Sequence, residues 1–411
     1  MRRLIFVPLL FAFLAPLFAQ PVAIPWWLSF EQGKQQFRAG DYGSALMLFE
    51  DSRRDRRAMY EQMERDFILL LSEREVRRIG DSLEKVEKIS RDRLYKAATA
   101  ALDELYYRIP KESFDNSAKA ALAGFNKLKD YPEAEYWIGE VYRIEGELPL
   151  ALSQYRKAYS MVSGRPPLAS EDPQFGITLQ YKIAAIYDIR QEYTEMIKVY
   201  ESIINDSDTL WVNSNRAVSN SGKPNNGSQN TSLPYEQAYA SFEKSAMTKT
   251  LTDQGINRFL ELYRYNNKST EKAHRNLGYY YAVRGRPSAE PHLMFSFLIQ
   301  NTVIMEEIKR RQYDFAFTTQ KEARGENQIR TLAELSEIAN KNALLAAYME
   351  EVEYYKTAYY LSISLYRNGK PSVARSLWEF LAVVPQAGEW QSRAVNQLKN
   401  PHFEPIVEMA K

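Results

Sequence analysis

Cysteine is absent from all 411 residues. No disulfide can staple the fold and no thiolate can act as nucleophile or metal ligand, so the chain must hold together by packing. Histidine is nearly absent too: His274, His292 and His402 are the full set. They stand far apart in sequence, without the HExxH or paired-histidine spacing of a zinc site. Neither sign of charge dominates. The formal net charge is +2, and without Arg2 and Arg3 it is 52 basic against 52 acidic residues. Nothing draws phosphate backbones or anionic lipid over a distance, which argues against nucleic acid as a partner. Glycine (17) and proline (18) are modest in number and gather at expected turns. GxSxG, Walker and GxGxxG sequences are all missing. Ser241–Lys244 matches S-x-x-K, but its companion S-D-N and K-T-G motifs are not found. No catalytic residue, cofactor or metal ligand is assigned, and the expectation is a protein that is not an enzyme.

What is present is apolar and helix-forming: 45% hydrophobic and 26% charged residues, with helix formers in the majority. The amino terminus, "MRRLIFVPLLFAFLAPLFAQ", has the layout of a secretory signal over residues 1–19. Arg2-Arg3 lead, Leu4–Leu14 form the apolar core, and Leu17-Phe18-Ala19 precede a cleavage point at Gln20. The stretch is short against the ~20 residues of a spanning helix and is interrupted by Pro8 and Pro16, so no membrane span is expected after cleavage. Export without disulfides points to a bacterial periplasm or envelope.

A spaced set of residues then returns five times. In "YWIGEVYRIEGELPLALSQYRKAY", Ile138-Gly139 is followed by Tyr142, a turn at Gly146, then Ala151, Tyr155 and Ala158. From the small residue, the turn lies seven on, a second small residue twelve on and a bulky one sixteen on. Gly33 leads to Gly40, Ala45 and Phe49, and Ala184 to Gln191, Met196 and Tyr200. Gly278 leads to Gly285, Glu290 and Met294, and Ser362 to Gly369, Ala374 and Trp378. Antiparallel helices cross closely only where small residues meet and large neighbours fill the gap. A single such pair cannot bury its apolar face alone, so copies stack.

This spacing resembles the tetratricopeptide repeat (TPR) family, whose signature is W-x2-L-G-x2-Y, then A-x3-F, then P. Residues 134–162 match well; 29–53, 177–204 and 358–385 match in part, and 273–298 least, with Glu290 in the small-residue slot. The first copy departs at Gln32 and Gln36, where Leu and Tyr are expected. The resemblance implies an all-α, TPR-like helical-hairpin solenoid, a right-handed superhelix, here in two sub-arrays. It also implies a concave groove that binds proteins or peptides, although the signature residues are scaffold and name no ligand.

The chain divides into residues 20–205, an Asn/Ser-rich flexible loop at 206–233, and a second array at 234–411. Trp211 near the start of the loop is a possible anchor or ligand contact. A charged run at 53–107 reads as solenoid helices with a solvated outer face; a coiled-coil arm that docks a second copy is the other reading. A long helix is expected from Ala289 to near Gly325, and a short capping helix over Glu389–Leu398. Tyrosine is the oddity, with 28 residues, several adjacent. One of each adjacent set is assigned to packing and the other to a surface, where tyrosine offers rigid contact area. Candidate groove residues are Tyr136, Glu140, Lys182, Asn276 and Tyr280. Candidate packing residues are Gly33, Ala45, Gly139, Ala151, Ala184, Gly278, Ser362 and Ala374. The expected function is a non-catalytic envelope scaffold for a protein or peptide partner; a self-assembling homo-oligomer and a helical-repeat cell-wall enzyme are the alternatives.

Overall fold

The computed structural model describes residues 25–72, 127–163, 172, 174–208, 210–211, 234–316 and 331–402. The signal segment, the charged run beyond Ser72, the bulk of the Asn/Ser-rich loop and the end of the long helix lie outside the described residues. Among the described residues all regular structure is helical: fifteen α-helices, one short 3-10 turn, and no strand. They form two compact units, residues 1–179 and 180–411.

In the first unit, α1 (Trp26–Ala39) pairs with α2 (Tyr42–Ser72), and α3 (Pro132–Ile144) with α4 (Leu148–Val162). Gly40 ends α1 in the left-handed conformation (φ 84°), and Asp41 accepts from the Ser44 amide (3.1 Å) to start α2. The absence of Leu and Tyr at positions 32 and 36 does not weaken α1. Phe30 and Phe37 do the packing instead, against Phe49 (5.6 Å between rings) and Trp137 (5.1 Å). The crossings fall where the spacing puts them. A Cβ on Gly33 would lie 2.7 Å from the Phe49 ring, and one on Gly139 would lie 2.7 Å from the Tyr155 ring. Ala45 and Ala151 are wholly buried beside them. α2 continues without a break into the charged run, and two of its arginines turn inward, not to solvent. Arg53 holds the buried Glu135 carboxylate (3.0 Å), which Lys157 reaches from the other side (2.6 Å). Arg56 lies over the rings of Trp26 and Tyr131 and donates to the Leu128 carbonyl (3.1 Å).

The second unit contains α5 (Phe175–Ile189, which begins in the first unit), α6 (Tyr193–Ser207), α7 (Pro234–Glu243), α8 (Ala246–Leu262), α9 (Lys268–Val283) and α10 (Ala289–Ala316). It ends with α11 (Leu332–Lys341), α12 (Ala343–Glu351), α13 (Tyr354–Arg367), α14 (Pro371–Ala382) and α15 (Glu389–Lys399). Here α9 pairs with α10 and α13 with α14. Ala184, Ser362 and Ala374 are wholly buried. The α9–α10 crossing is shifted by one position. The turn after Gly285 runs through Pro287 and is two residues longer than that after Gly146. Gly278 then faces Leu293, 2.6 Å from a built Cβ, and the buried small residue is Ala289. Glu290 therefore does not occupy the crossing. Its buried carboxylate meets Lys370 (2.7 Å) and Asn368 (2.8 Å), and Lys370 also binds Glu243.

One contact recurs across pairs: the second helix of a pair packs on the first helix of a later one, α2 on α3, α6 on α9 and α10 on α13. Of the α7–α8 hairpin, which lies between α6 and α9 in sequence, α8 packs on α14.

Four substitutions test these contacts. Gly139→Ala gains helix propensity but forces the buried, hydrogen-bonded Tyr155 ring to move. It is expected to destabilise by about 1–3 kcal/mol in urea unfolding. Gly43→Ala, with nothing within 4 Å of its Cβ, is expected to be neutral or stabilising. Lys370→Met leaves Glu290 buried without its cation, at a cost of about 3–5 kcal/mol, and Glu290→Leu in the same chain restores most of it. Equal stability of Gly139→Ala and wild type, or no recovery in the double variant, contradicts these assignments.

Candidate functional site

The five groove candidates have different environments. On α3, Glu140 is only 5% exposed, accepts from the Tyr155 hydroxyl and pairs with Arg143 (2.9 Å). Burial and the Glu140 carboxylate push the Tyr155 phenol well above its ordinary range. Tyr136 is half-buried in a ring cluster with Trp137, Tyr155 and Phe175, at 5.6, 6.0 and 5.8 Å between centroids. Lys182 is half-buried on α5. Asn276 and Tyr280 share one face of α9 and both meet α6. The Asn276 amide donates to the Tyr200 hydroxyl (2.8 Å), whose pKa burial pushes up to about 12. The Tyr280 ring lies 5.3 Å from that of Tyr193.

These two residues belong to a longer stripe. Lys272, Asn276, Tyr280 and Arg284 follow one another at four-residue spacing, one above the next on a helix. Each faces a tyrosine of α5 or α6. The Lys272 ammonium lies 5.6 Å from the Tyr181 ring centre, while the Arg284 guanidinium lies 3.7 Å from Tyr280 and 4.5 Å from Tyr193. Tyr181 is fixed in turn: its hydroxyl donates to the Ser269 carbonyl (2.6 Å) and accepts from the Ala273 amide (3.1 Å). The stripe is thus a rigid surface with a cation at each end and polar or aromatic groups between. Four-residue spacing in "KAHRNLGYYYAVR" was visible in the sequence; the tyrosines that face it, from a different hairpin, were not.

Under the stripe lies a polar group that sequence spacing did not reveal. His274 and His292, eighteen residues apart, meet across the α9–α10 hairpin with their Nδ1 atoms 3.2 Å apart. His274 Nε2 lies 3.0 Å from Asp208 Oδ2, and Asp208 Oδ1 accepts from the Trp211 amide (2.9 Å). With Asp208 ionised, His274 donates through Nε2, so its Nδ1 must accept and His292 must donate through Nδ1. The Trp211 indole stacks on His292 (4.7 Å) and edges Phe295 (5.4 Å). Trp211 therefore anchors the start of the Asn/Ser-rich segment in the core. Asp208, His274 and His292 are all buried. Burial pushes both imidazoles down, His292 furthest, with the neighbouring His274 adding to it. Burial raises the Asp208 carboxyl, but His274 and the Trp211 amide outweigh it and leave the group below its ordinary value. His402 stands apart and exposed, near the Asn400 carbonyl (2.8 Å). Among the described residues no group of three His, Cys, Asp or Glu side chains has the arrangement of a metal site. Nor is any described helix long and apolar enough to cross a membrane.

No protein-family model matches the chain. It is similar to an "Uncharacterized protein" of Treponema pallidum (strain Nichols), 23% identical over 376 residues, 91% of this chain and 89% of that protein. The likeness is longer than either compact unit, so it takes in residues of both.

The buried imidazoles make stability depend on pH. Unfolded histidine takes up a proton near pH 6.5, whereas His274 and His292 do so only at lower pH. Their contribution is complete above about 6.5 and is lost as the pH falls from there through the folded values. Urea midpoints are expected to drop between about pH 7.5 and 5. His292→Phe, which keeps the stack on Trp211, is expected to show a smaller drop; an equal drop would rule out these two histidines as the cause.

Proposed function

We propose that this chain is a TPR-like helical-repeat scaffold that binds a protein or peptide along the face of its first helices, and that it works in a bacterial envelope after export. The observation that carries the reading is the recurrence of one contact in both units, a second helix packed on the first helix of a later pair. A hairpin that packs this way leaves its other first-helix face available, and successive copies line it up into one surface. The glycine crossings at Phe49 and Tyr155 support the same build, because they repeat at one register. Support for export is the arrangement of residues 1–19: two arginines, an apolar core and Leu17-Phe18-Ala19 before Gln20. Support for binding, as opposed to catalysis, comes from the contrast between two polar groups of the second unit. Asp208, His274 and His292 bond to one another within the core, while Lys272 and Arg284 at the ends of the α9 stripe are exposed.

Crosslinking in native cells followed by mass spectrometry of the captured chain tests the proposal. Tyr136→Ala and Tyr280→Ala, on first helices of the two units, are each expected to reduce capture of a specific partner by about tenfold, the scale of an aromatic hot spot. Leu344→Ala, an exposed position on α12, is expected to leave capture unchanged. Identical partner sets for wild type and both tyrosine variants would remove the first-helix face from consideration.

A further inference from the structure

Several charged side chains around the two cations that end the α9 stripe are held by carboxylates or cations of the fold itself. On α6, Lys198 pairs with Glu195 at 2.7 Å; on α9, Arg275 pairs with Glu271 and Glu353 at 3.1 and 2.7 Å. Lys370 on the neighbouring hairpin is held by two carboxylates. Lys272 and Arg284 are exposed, and among the described residues neither pairs with a carboxylate. Each is instead placed by tyrosine rings. Arg284 lies against Tyr280 and Tyr193 and spends one donor on the Tyr280 carbonyl (3.2 Å). A guanidinium fixed on two rings has lost its freedom before any ligand arrives, and its remaining donors are still open. A cation at a helix C-terminus is ordinary, since the helix dipole favours it there. Contact with rings from a second hairpin is not part of that effect, and the dipole does not account for Lys272, which lies in the amino-terminal half of the helix.

Twelve residues separate the two positions, about 18 Å along the helix axis. An extended peptide covers that distance in about five or six residues. Between the cations lie the Asn276 amide and the Tyr280 ring, backed by Tyr200 and Tyr193. We propose that this stripe is the docking site of an acidic peptide segment lying extended along α9, with one carboxylate on Lys272, another about five or six residues away on Arg284, and the intervening residues against Asn276 and Tyr280. The proposal rests on the scaffold reading above and names the class of partner that its second unit takes.

The probe is a fluorescein-labelled octaglutamate peptide, titrated with the full chain by polarisation at low salt. Saturable binding is expected, weakening as salt rises from about 0.05 to 0.3 M. Lys272→Gln and Arg284→Gln should each weaken it by about tenfold, the scale of one charge-assisted contact. Lys198→Gln, an exposed cation on α6, should leave it unchanged. An octaglutamine peptide should not bind. Among peptides with only two glutamates, a separation of five or six residues should bind better than adjacent placement. All three substitutions are exposed, and unchanged thermal melts establish that the fold is kept. The proposal is overturned by no binding of octaglutamate, by equal binding of octaglutamine, by loss in Lys198→Gln as large as in the stripe variants, or by no effect of the stripe variants. Retention on phosphatidylglycerol vesicles that needs both cations, without peptide binding, also overturns it, in favour of a lipid surface. If the stripe fails but crosslinking still captures partners that need Tyr136, the scaffold reading survives and only the partner class is lost.

Discussion

The fold depends on how closely two helices can approach where a glycine has no side chain to hold them apart. At Gly139 and Gly33 an aromatic ring fills the space that a Cβ would occupy, so the ring is at once the filler and the gauge of the crossing. A ring in that position is packed on both faces, and Tyr155 and Phe49 are accordingly wholly buried. Because interiors are packed to crystal-like density, the adjacent alanines have no latitude either. The crossing sets the splay of the pair, and the splay sets which residues of the second helix reach the next first helix. Local sequence thus governs contacts between hairpins through one distance.

Contacts between hairpins carry a second constraint, in buried charge. Glu135 ties α2, α3 and α4 through Arg53 and Lys157, and Glu290 ties α10 to α13 and α14 through Asn368 and Lys370. Around Glu271, Ser296 and Gln300 donate from α10 while Arg275 links it to Glu353. Burial raises the carboxyl of both Glu271 and Glu290, which is the sign of the desolvation each one suffers. Such groups add little net stability against an apolar substitute. Their effect is on register: sliding one hairpin along another by a residue would leave an unpaired charge in the core, which is costly in a way that slipped leucines are not.

Much of this was legible before any coordinates. Small residues at 33 and 139 with rings sixteen positions on is a pattern that only a close crossing requires, and both crossings are there. At Gly278 the same count pointed to Glu290 and Met294, but the contact is with Leu293, because a Pro-containing turn of different length changes the rotation of α10. Turn length was readable and its rotational effect was not. The charged run after Ser52 was harder. Nothing in "SRRDRR" distinguishes the inward Arg53 and Arg56 from the exposed Arg54 and Arg57, since their partners, Glu135 and Tyr131, are some eighty residues away in sequence. The histidine pair was missed for the same reason: its spacing is that of a hairpin, and metal-site patterns are local. The stripe was half visible, its own helix supplying the spacing and another hairpin supplying the rings.

Two of the polar groups of the second unit illustrate why exposure and satisfaction, taken together, separate structure from function. Asp208, His274 and His292 have the residue types that chemistry commonly uses, but the side-chain hydrogen bonds that orient them run to one another, to the Trp211 amide and to the Thr270 hydroxyl. Their interaction free energy is already realised in the folded chain, where it holds the α9–α10 hairpin to the end of α6. Lys272 and Arg284 are the reverse case. Their orientation is fixed by tyrosines, so the entropy of placing them has already been lost on folding, while their charge has no counterpart among the described residues. A group ordered without being neutralised can still do electrostatic work on something that arrives from solution. The core beneath α9 therefore serves the stripe above it. By locking His274 and Ala273, on the same helix as Asn276 and Tyr280, it keeps the spacing between the two cations constant, and a constant spacing is what allows a surface to select one length of partner over another.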